Sequence, residues 1–187
     1  DNPYLINNEY RGLLDLRNTG WSANIAYDFG AVTLKSITGY SDFETTRTQD
    51  TDFSSSQIGA DYQFTSAKTL SQELQLVSNG SGPLEYVLGA YFFKDKLNGT
   101  FINEQFVQVV PGDTRPPAVR QGGGFYQEFR AETESLAAYA QASYAITEKL
   151  KLTGGIRYTR DKKDFQFANA NEVLPFVGGA PVGTALT

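Results

Sequence analysis

The sequence predicts an all-β chain: an antiparallel, up-and-down segment of a transmembrane β-barrel, with about six strands. Three observations carry that reading. Apolar and polar residues alternate in several stretches. Tight polar turns alternate with long polar stretches between them. Aromatic residues sit near the ends of the alternating stretches, where a membrane strand places its interfacial girdles.

Composition agrees with strands and turns. The chain has 187 residues, 40% hydrophobic and 20% charged, an ordinary balance for a folded protein. Aromatics make up 13%, with 11 Tyr, 13 Phe and 18 Gly, a strand-and-turn vocabulary. There is no His, no Cys and no Met. Without His there is no Ser-His-Asp triad and no imidazole-ligated metal; without Cys there is no thiol nucleophile, zinc cluster or disulfide. No Ser or Thr has a base partner, so the chain reads as a non-enzyme, and no cofactor is expected. A formal charge of −5 argues against a nucleic-acid surface. No apolar run approaches the ~18 residues of a membrane helix, and no signal peptide leads the chain. Residue 1 is Asp, which predicts a processed chain or one cut from a longer one.

The first strand is Trp21–Phe29. Trp21, Ala23, Ile25, Tyr27 and Phe29 share one face, and Ser22, Asn24, Ala26 and Asp28 share the other. Residues 1–16 show no clear period and read as the end of a preceding loop and strand. The second strand, Val32–Phe43, sets Val32, Leu34 and Tyr40 against Thr33, Lys35 and Ser41, with Ile37 out of phase. The third, Leu70–Ser78, sets Leu70, Leu74 and Leu76 against Ser71, Glu73 and Gln75. The fourth, Leu84–Lys94, is apolar on both faces, with Leu84, Tyr86, Leu88, Ala90 and Phe92 in one set. The fifth, Leu136–Ile146, puts Leu136, Ala138, Ala140, Ala142 and Tyr144 opposite Tyr139, Gln141 and Ser143. The sixth starts at Leu150, with Leu152, Gly154, Ile156 and Tyr158 opposite Lys151, Thr153, Gly155 and Arg157.

Phe29–Ala31, Asn79–Pro83 and Thr147–Lys149 read as tight turns. Glu44–Lys68, Leu97–Glu134 and Phe165 to the end read as long loops, far beyond the usual ~2–5 residues of a hairpin. Three hairpins closed tightly at one end and joined by long loops at the other have the asymmetry of membrane barrels. The length fits too. A strand tilted by about 40° climbs ~2.6 Å per residue, so an apolar band ~25 Å tall takes about ten residues. Arg157 falls on the non-lipid phase, where a charge at mid-height avoids a cost of about 2–4 kcal/mol. A soluble β-sandwich alternates in the same way, and pattern alone does not separate the two.

Several of these strands resemble those of a known family. Leu34-Lys35-Ser36-Ile37-Thr38-Gly39-Tyr40, Ser71-Gln72-Glu73-Leu74-Gln75-Leu76 and Gly89-Ala90-Tyr91-Phe92-Phe93 resemble barrel strands of TonB-dependent outer-membrane receptors. So do Ala138-Tyr139-Ala140-Gln141-Ala142-Ser143-Tyr144 and Leu150-Lys151-Leu152-Thr153-Gly154-Gly155-Ile156-Arg157-Tyr158-Thr159. The order and spacing over about residues 21–164 resemble the siderophore-receptor-like members of Gram-negative bacteria. The resemblance implies a 22-strand-type barrel, placement in the outer membrane against its lipid, and active uptake of a scarce nutrient such as a ferric siderophore. It also implies energy from the TonB–ExbB–ExbD complex through a plug domain that has no counterpart in this chain. Residues 1–187 would then be a partial barrel domain. Six strands as an open sheet would expose about 700 Å² of apolar face and two bare edges, which also predicts a segment of something larger. The rival readings are a soluble secreted β-sandwich that binds glycans or surfaces, and a passive porin or autotransporter barrel.

Candidate ligand residues sit in the longest expected loop. Arg115, Arg120, Phe125 and Tyr126 combine guanidinium groups with rings, which suits an anionic, partly aromatic ligand such as a ferric chelate. Phe101, Phe106 and Arg130 belong to the same stretch, and the simpler reading is that its aromatics fold the loop on itself. Asp50 and Asp52 could offer hard oxygens to a cation, but no full ligand run follows, and a solvated loop is the simpler reading. Gly122-Gly123-Gly124 lacks the spacing of a phosphate loop and reads as a flexible joint. Asn79-Gly80-Ser81 and Asn98-Gly99-Thr100 match the glycosylation triplet but read as turns.

Overall fold

A computed structural model of the chain describes residues 12–51, 59–80, 82–105 and 123–173, with side chains placed up to residue 170. Six long strands form one sheet in sequence order: β1 (Leu13–Asp28), β2 (Val32–Asp50), β3 (Gly59–Ser78), β4 (Leu84–Gln105), β5 (Gly123–Thr147) and β6 (Leu150–Val173). Every neighbouring pair is antiparallel.

The three tight turns fall where the sequence places them. Between β1 and β2, Gly30 adopts φ +89°, a conformation that side chains disfavour, and its N–H donates to Asp28 Oδ1 at 2.7 Å. Asn79, in the β3–β4 turn, reaches back with its Nδ2 to the same Asp28 Oδ1 at 2.8 Å. The first two hairpins are therefore tied together at the turn end. The β5–β6 turn is closed by Thr147 Oγ1, which accepts from the backbone of Lys149 and Leu150 at 3.3 and 3.1 Å.

The far ends differ from expectation. Glu44–Asp50 completes β2 and Gly59–Lys68 opens β3, so both ends of the expected loop are strand, and residues 52–58 lie outside the described residues. Leu97–Gln105 belongs to β4 and Gly123–Glu134 to β5. β6 runs on through Phe165 to Val173, and β1 begins at Leu13. Asn98-Gly99-Thr100 lies inside β4 and is not a turn. Gly123 and Gly124 open β5 and are not a joint.

The physical reason lies in the register. Residues directly opposite each other share a face. One face carries Trp21, Tyr40 and Leu70 in one rung, Ile25, Ser36, Leu74, Ala90, Ala138 and Tyr158 in another, and Tyr27, Leu34, Leu76, Leu88, Ala140 and Ile156 in a third. This is the apolar face. Higher up, the same face turns charged: Asp42, Lys68, Lys96, Glu132 and Asp164 share a rung, and Arg17, Glu44 and Arg130 share another. The opposite face does the reverse. Low down it holds Lys35, Gln75, Glu73 and Arg157; high up it holds Leu16, Phe43, Leu97, Phe129, Phe165 and Phe167. The apolar residues change sides at the level of Trp21, Tyr40, Phe92 and Tyr158. A search for one continuous apolar phase therefore loses the strands where they leave the lipid.

A soluble sandwich keeps its apolar face on one side and buries it. Here no second layer exists among the described residues, and Ile25, Leu152 and Ile156 are 67%, 65% and 76% exposed. The only buried apolar side chains among the described residues are Ala60 and Ala137.

The two rows of interfacial aromatics also measure the tilt. The upper row drops from Tyr40 on β2 to Tyr158 on β6 by two rungs; the lower drops from Tyr27 on β1 to Tyr144 on β5 by two rungs. Two rungs are about 14 Å and four strand spacings about 19 Å, so both rows slope by about 35°. That matches the strand tilt of membrane barrels and a stagger of about one residue per strand. Trp21 and Tyr40 stack in the upper row with ring centroids 6.0 Å apart.

Candidate functional site

The inner face, opposite the lipid-facing stripe, is the one whose side chains can meet polar groups at membrane level. Its membrane-level part is a polar network drawn from four strands. Tyr139 on β5 lies opposite Gly89 on β4. A Cβ at Gly89 would fall on the Tyr139 ring, so glycine lets that ring lie flat across β4. The Tyr139 hydroxyl thereby reaches β3 and donates to Glu73 Oε1 at 2.5 Å. Gln75 Nε2 donates to the same oxygen at 2.9 Å. From the other side, the Arg157 guanidinium on β6 sits 5.9 Å from both the Tyr91 and Tyr139 ring centroids. A negative and a positive group are thus held on one inner surface through a tyrosine between them. Arg157 takes the inner side expected of it, opposite in phase to Ile156 and Tyr158.

The outer face carries one polar patch at membrane level. Thr38 Oγ1 donates to Gln72 Oε1 at 2.6 Å, and Gln72 Nε2 donates to Ser36 Oγ at 3.0 Å. The three groups satisfy one another, as lipid exposure requires. Above the girdle, Lys94 on β4 bridges Glu132 (2.5 Å) and Glu134 on β5, and Lys96 reaches Glu132 at 3.5 Å. These carboxylates and ammonium groups pull each other's protonation towards the charged forms: Glu132 is held below its ordinary pKa and Lys94 above. Near the top of β4, burial pushes the Glu104 carboxyl up.

The sequence-predicted ligand residues separate. Arg115 and Arg120 lie outside the described residues. Phe125 and Tyr126 are strand residues of β5, not loop residues, because the β4–β5 ladder continues up to Gly123. Adjacent strand positions point to opposite faces. Phe125 lies on the inner face, where its ring packs against Phe101 at 5.5 Å. Tyr126 lies on the outer face and gives its hydroxyl to Glu128. One inner site therefore cannot use both. Asp50 is buried at 1% exposure, and its expected companion Asp52 lies outside the described residues. Among the described residues no group of three acidic side chains could hold a metal ion.

Sequence reasoning did not single out Glu73, Tyr139 or Gly89 as a unit. The available signal was a glycine in a strand, which often marks close approach by a neighbouring group; its partner is set by register alone.

A single-layered antiparallel sheet with a lipid-facing stripe, aromatic rows at both interfaces and a polar inner face is the wall of a transmembrane β-barrel. The family model for the β-barrel of TonB dependent receptor-like proteins matches residues 1–180. The chain belongs to that family. It is also similar to the crystal structure of the ferric yersiniabactin uptake receptor FyuA from Yersinia pestis, with TM-score 0.63 and 17% identity over 86% of this chain and 25% of that one. At that identity the likeness establishes the fold. The chain spans about a quarter of the length of that receptor. No curated protein matches the chain. The family is one of transporters, which agrees with a non-enzyme.

Proposed function

We propose that the chain is part of the wall of an outer-membrane receptor of a Gram-negative bacterium, one that imports a scarce nutrient using work supplied by TonB–ExbB–ExbD. A ferric siderophore is the favoured cargo. The change of the apolar residues from the outer to the inner face at the aromatic row carries the membrane reading, and family membership carries the transport reading. Residues 1–187 are read as a partial barrel domain, to which the six described strands belong, with the plug assigned to another part of the receptor. The inner network of Glu73, Tyr139 and Arg157 offers hydrogen-bonding and charged groups to that plug or to water. Phe125 on the inner face is retained as a ligand contact, together with Arg115 and Arg120; Tyr126 is the weakest member of the set because it faces outward.

Uptake of radiolabelled ferric siderophore by cells carrying the full-length receptor tests the reading. Uptake should vanish in cells lacking TonB while surface binding persists. Equal uptake with and without TonB would point to a passive pore, and recovery of the receptor in the soluble fraction would remove the membrane placement.

A further inference from the structure

The inner face above the aromatic row is a separate surface from the polar network below it. Above a polar rung that holds Ser41, Thr69, Asp95, Thr133 and Lys163, four rungs build its upper part. The lowest holds Asn18, Phe43, Ala67, Leu97, Ala131 and Phe165; the next holds Leu16, Thr45, Thr65, Gly99, Phe129 and Phe167. The two above add Arg47, Gln63, Phe101 and Gln127, then Gln49, Asp61, Asn103 and Phe125. Phe129 and Phe167 are directly opposite each other across β5 and β6. A Cβ at Gly99 would fall on the Phe129 ring, so that ring lies flat on the sheet and is half-buried. Phe165 and Phe167 are 66% and 55% exposed. Arg47 and Asp61 are the charged members of these rungs, one of each sign, and with Gln49, Gln63 and Phe101 they line a small recess. Beside it Asn103, only 9% exposed, donates its Nδ2 to Asp61 Oδ1 at 2.6 Å, while its own Oδ1 has no hydrogen-bond partner among the described residues. That oxygen is an acceptor waiting for a donor, since a buried unpaired carbonyl costs about 1–3 kcal/mol.

We propose that this surface selects the cargo by chemical class: a ligand of little net charge that offers aromatic or flat conjugated faces to Phe101, Phe125, Phe129 and Phe167, and a hydrogen-bond donor to Asn103. The inference rests on the importer reading and adds the ligand class to it. On the inner wall above the aromatic row a multiply charged anion would meet the cations Arg47 and Lys163 against the carboxylates of Asp61, Asp95 and Asp161, which leave no net positive field to hold it. A neutral aromatic chelate would instead cover rings that are now wet.

The test is equilibrium binding of defined probes to the full-length receptor in detergent, without TonB. The probes are ferric tris(8-hydroxyquinolinate), neutral and aromatic; a ferric tris-catecholate, trianionic and aromatic; ferric tris-acetohydroxamate, neutral and aliphatic; and maltoheptaose, an uncharged sugar. The first should bind roughly 10-fold tighter than each of the others. Phe129→Ala and Phe101→Ala should each weaken it by roughly 3- to 10-fold, and Phe129→Leu, which keeps an apolar side chain, by nearly as much. The outward variant Glu128→Gln should leave binding unchanged. Equal or tighter binding of the trianionic chelate, the aliphatic chelate or the sugar overturns the proposal, as does retained affinity in an assembled Phe129→Ala receptor. Loss of TonB dependence in uptake with this preference intact would sink the importer reading alone; TonB-dependent uptake with another preference would sink this one alone.

Discussion

Arginine placed at one residue of β1 and then at its neighbour discriminates sharply between the two faces. Ile25 is 67% exposed on the apolar face and lies four residues from both Trp21 and Phe29, the aromatics that bound the band on β1. At ~2.6 Å of climb per residue it stands about 10 Å from each boundary, near the bilayer midplane. Ile25→Arg should cost about 2–4 kcal/mol, roughly 30- to 900-fold in the assembly equilibrium. Asn24 sits on the inner face in the rung of Ile37 and Glu73, so Asn24→Arg places the same charge in the polar lumen. Its cost should stay within about 0.5 kcal/mol. Thr19 shares the face of Ile25 but stands about 16 Å higher, beyond the band, and Thr19→Arg should cost about 0–1 kcal/mol. The assay is the fraction of full-length receptor that is folded in the outer membrane, read by heat-modifiable gel mobility with the three variants expressed equally. Equal damage from Asn24→Arg and Ile25→Arg would refute the face assignment. Indifference to all three would refute the membrane itself.

Substitutions at four other positions probe packing, backbone strain, an ion pair and a buried carboxyl. Gly89→Ala puts a methyl group where the Tyr139 ring lies and should cost about 1–3 kcal/mol in thermal stability of the receptor; adding Tyr139→Ala should recover much of it, and no recovery would remove the packing explanation. Gly30→Ala meets no neighbour but must adopt φ +89°, so it should lose about 1–2 kcal/mol, whereas Gly30→Asn should lose less; equal midpoints for the two variants would count against backbone strain. Lys94→Ala removes a half-buried, paired ammonium and should lower stability only slightly, with the loss shrinking as salt is raised; a loss independent of ionic strength would contradict the ion-pair account. Glu104, whose carboxyl is pushed up by burial, binds its proton more tightly in the folded state than in the unfolded. Its contribution is therefore most favourable below the unfolded carboxylate pKa and is lost as pH rises through the folded one. Glu104→Gln should flatten the pH dependence of stability in that window, and an unchanged profile would exclude the burial effect.

Much of the membrane-level structure was legible from alternation alone. Trp21 to Phe29, Leu136 to Tyr144 and Leu150 to Tyr158 each keep one apolar phase, and a period of two has one structural meaning. The turns were legible because Gly30, Asn79 and Thr147 carry turn chemistry at the closed ends. Ile37, out of phase by pattern, stands on the inner face opposite Asn24 and Glu73. The upper strand ends were not legible. From Leu97 to Phe101 and from Phe125 to Phe129 the apolar residues occupy the inner phase, so a pattern scored for lipid contact ends at the girdle.

Chain order alone decided the number of strands, their closed ends and the face that meets lipid, because each depends on neighbours within one or two hairpins. Only the assembled sheet decided that the Tyr139 hydroxyl meets Glu73, a residue 66 positions earlier, across Gly89. It also decided that Phe125 and Tyr126 part company and that the slope of the aromatic rows is about 35°. Those outcomes follow from lateral register, which is set by hydrogen bonds between strands far apart in the chain and has no signature in any single strand.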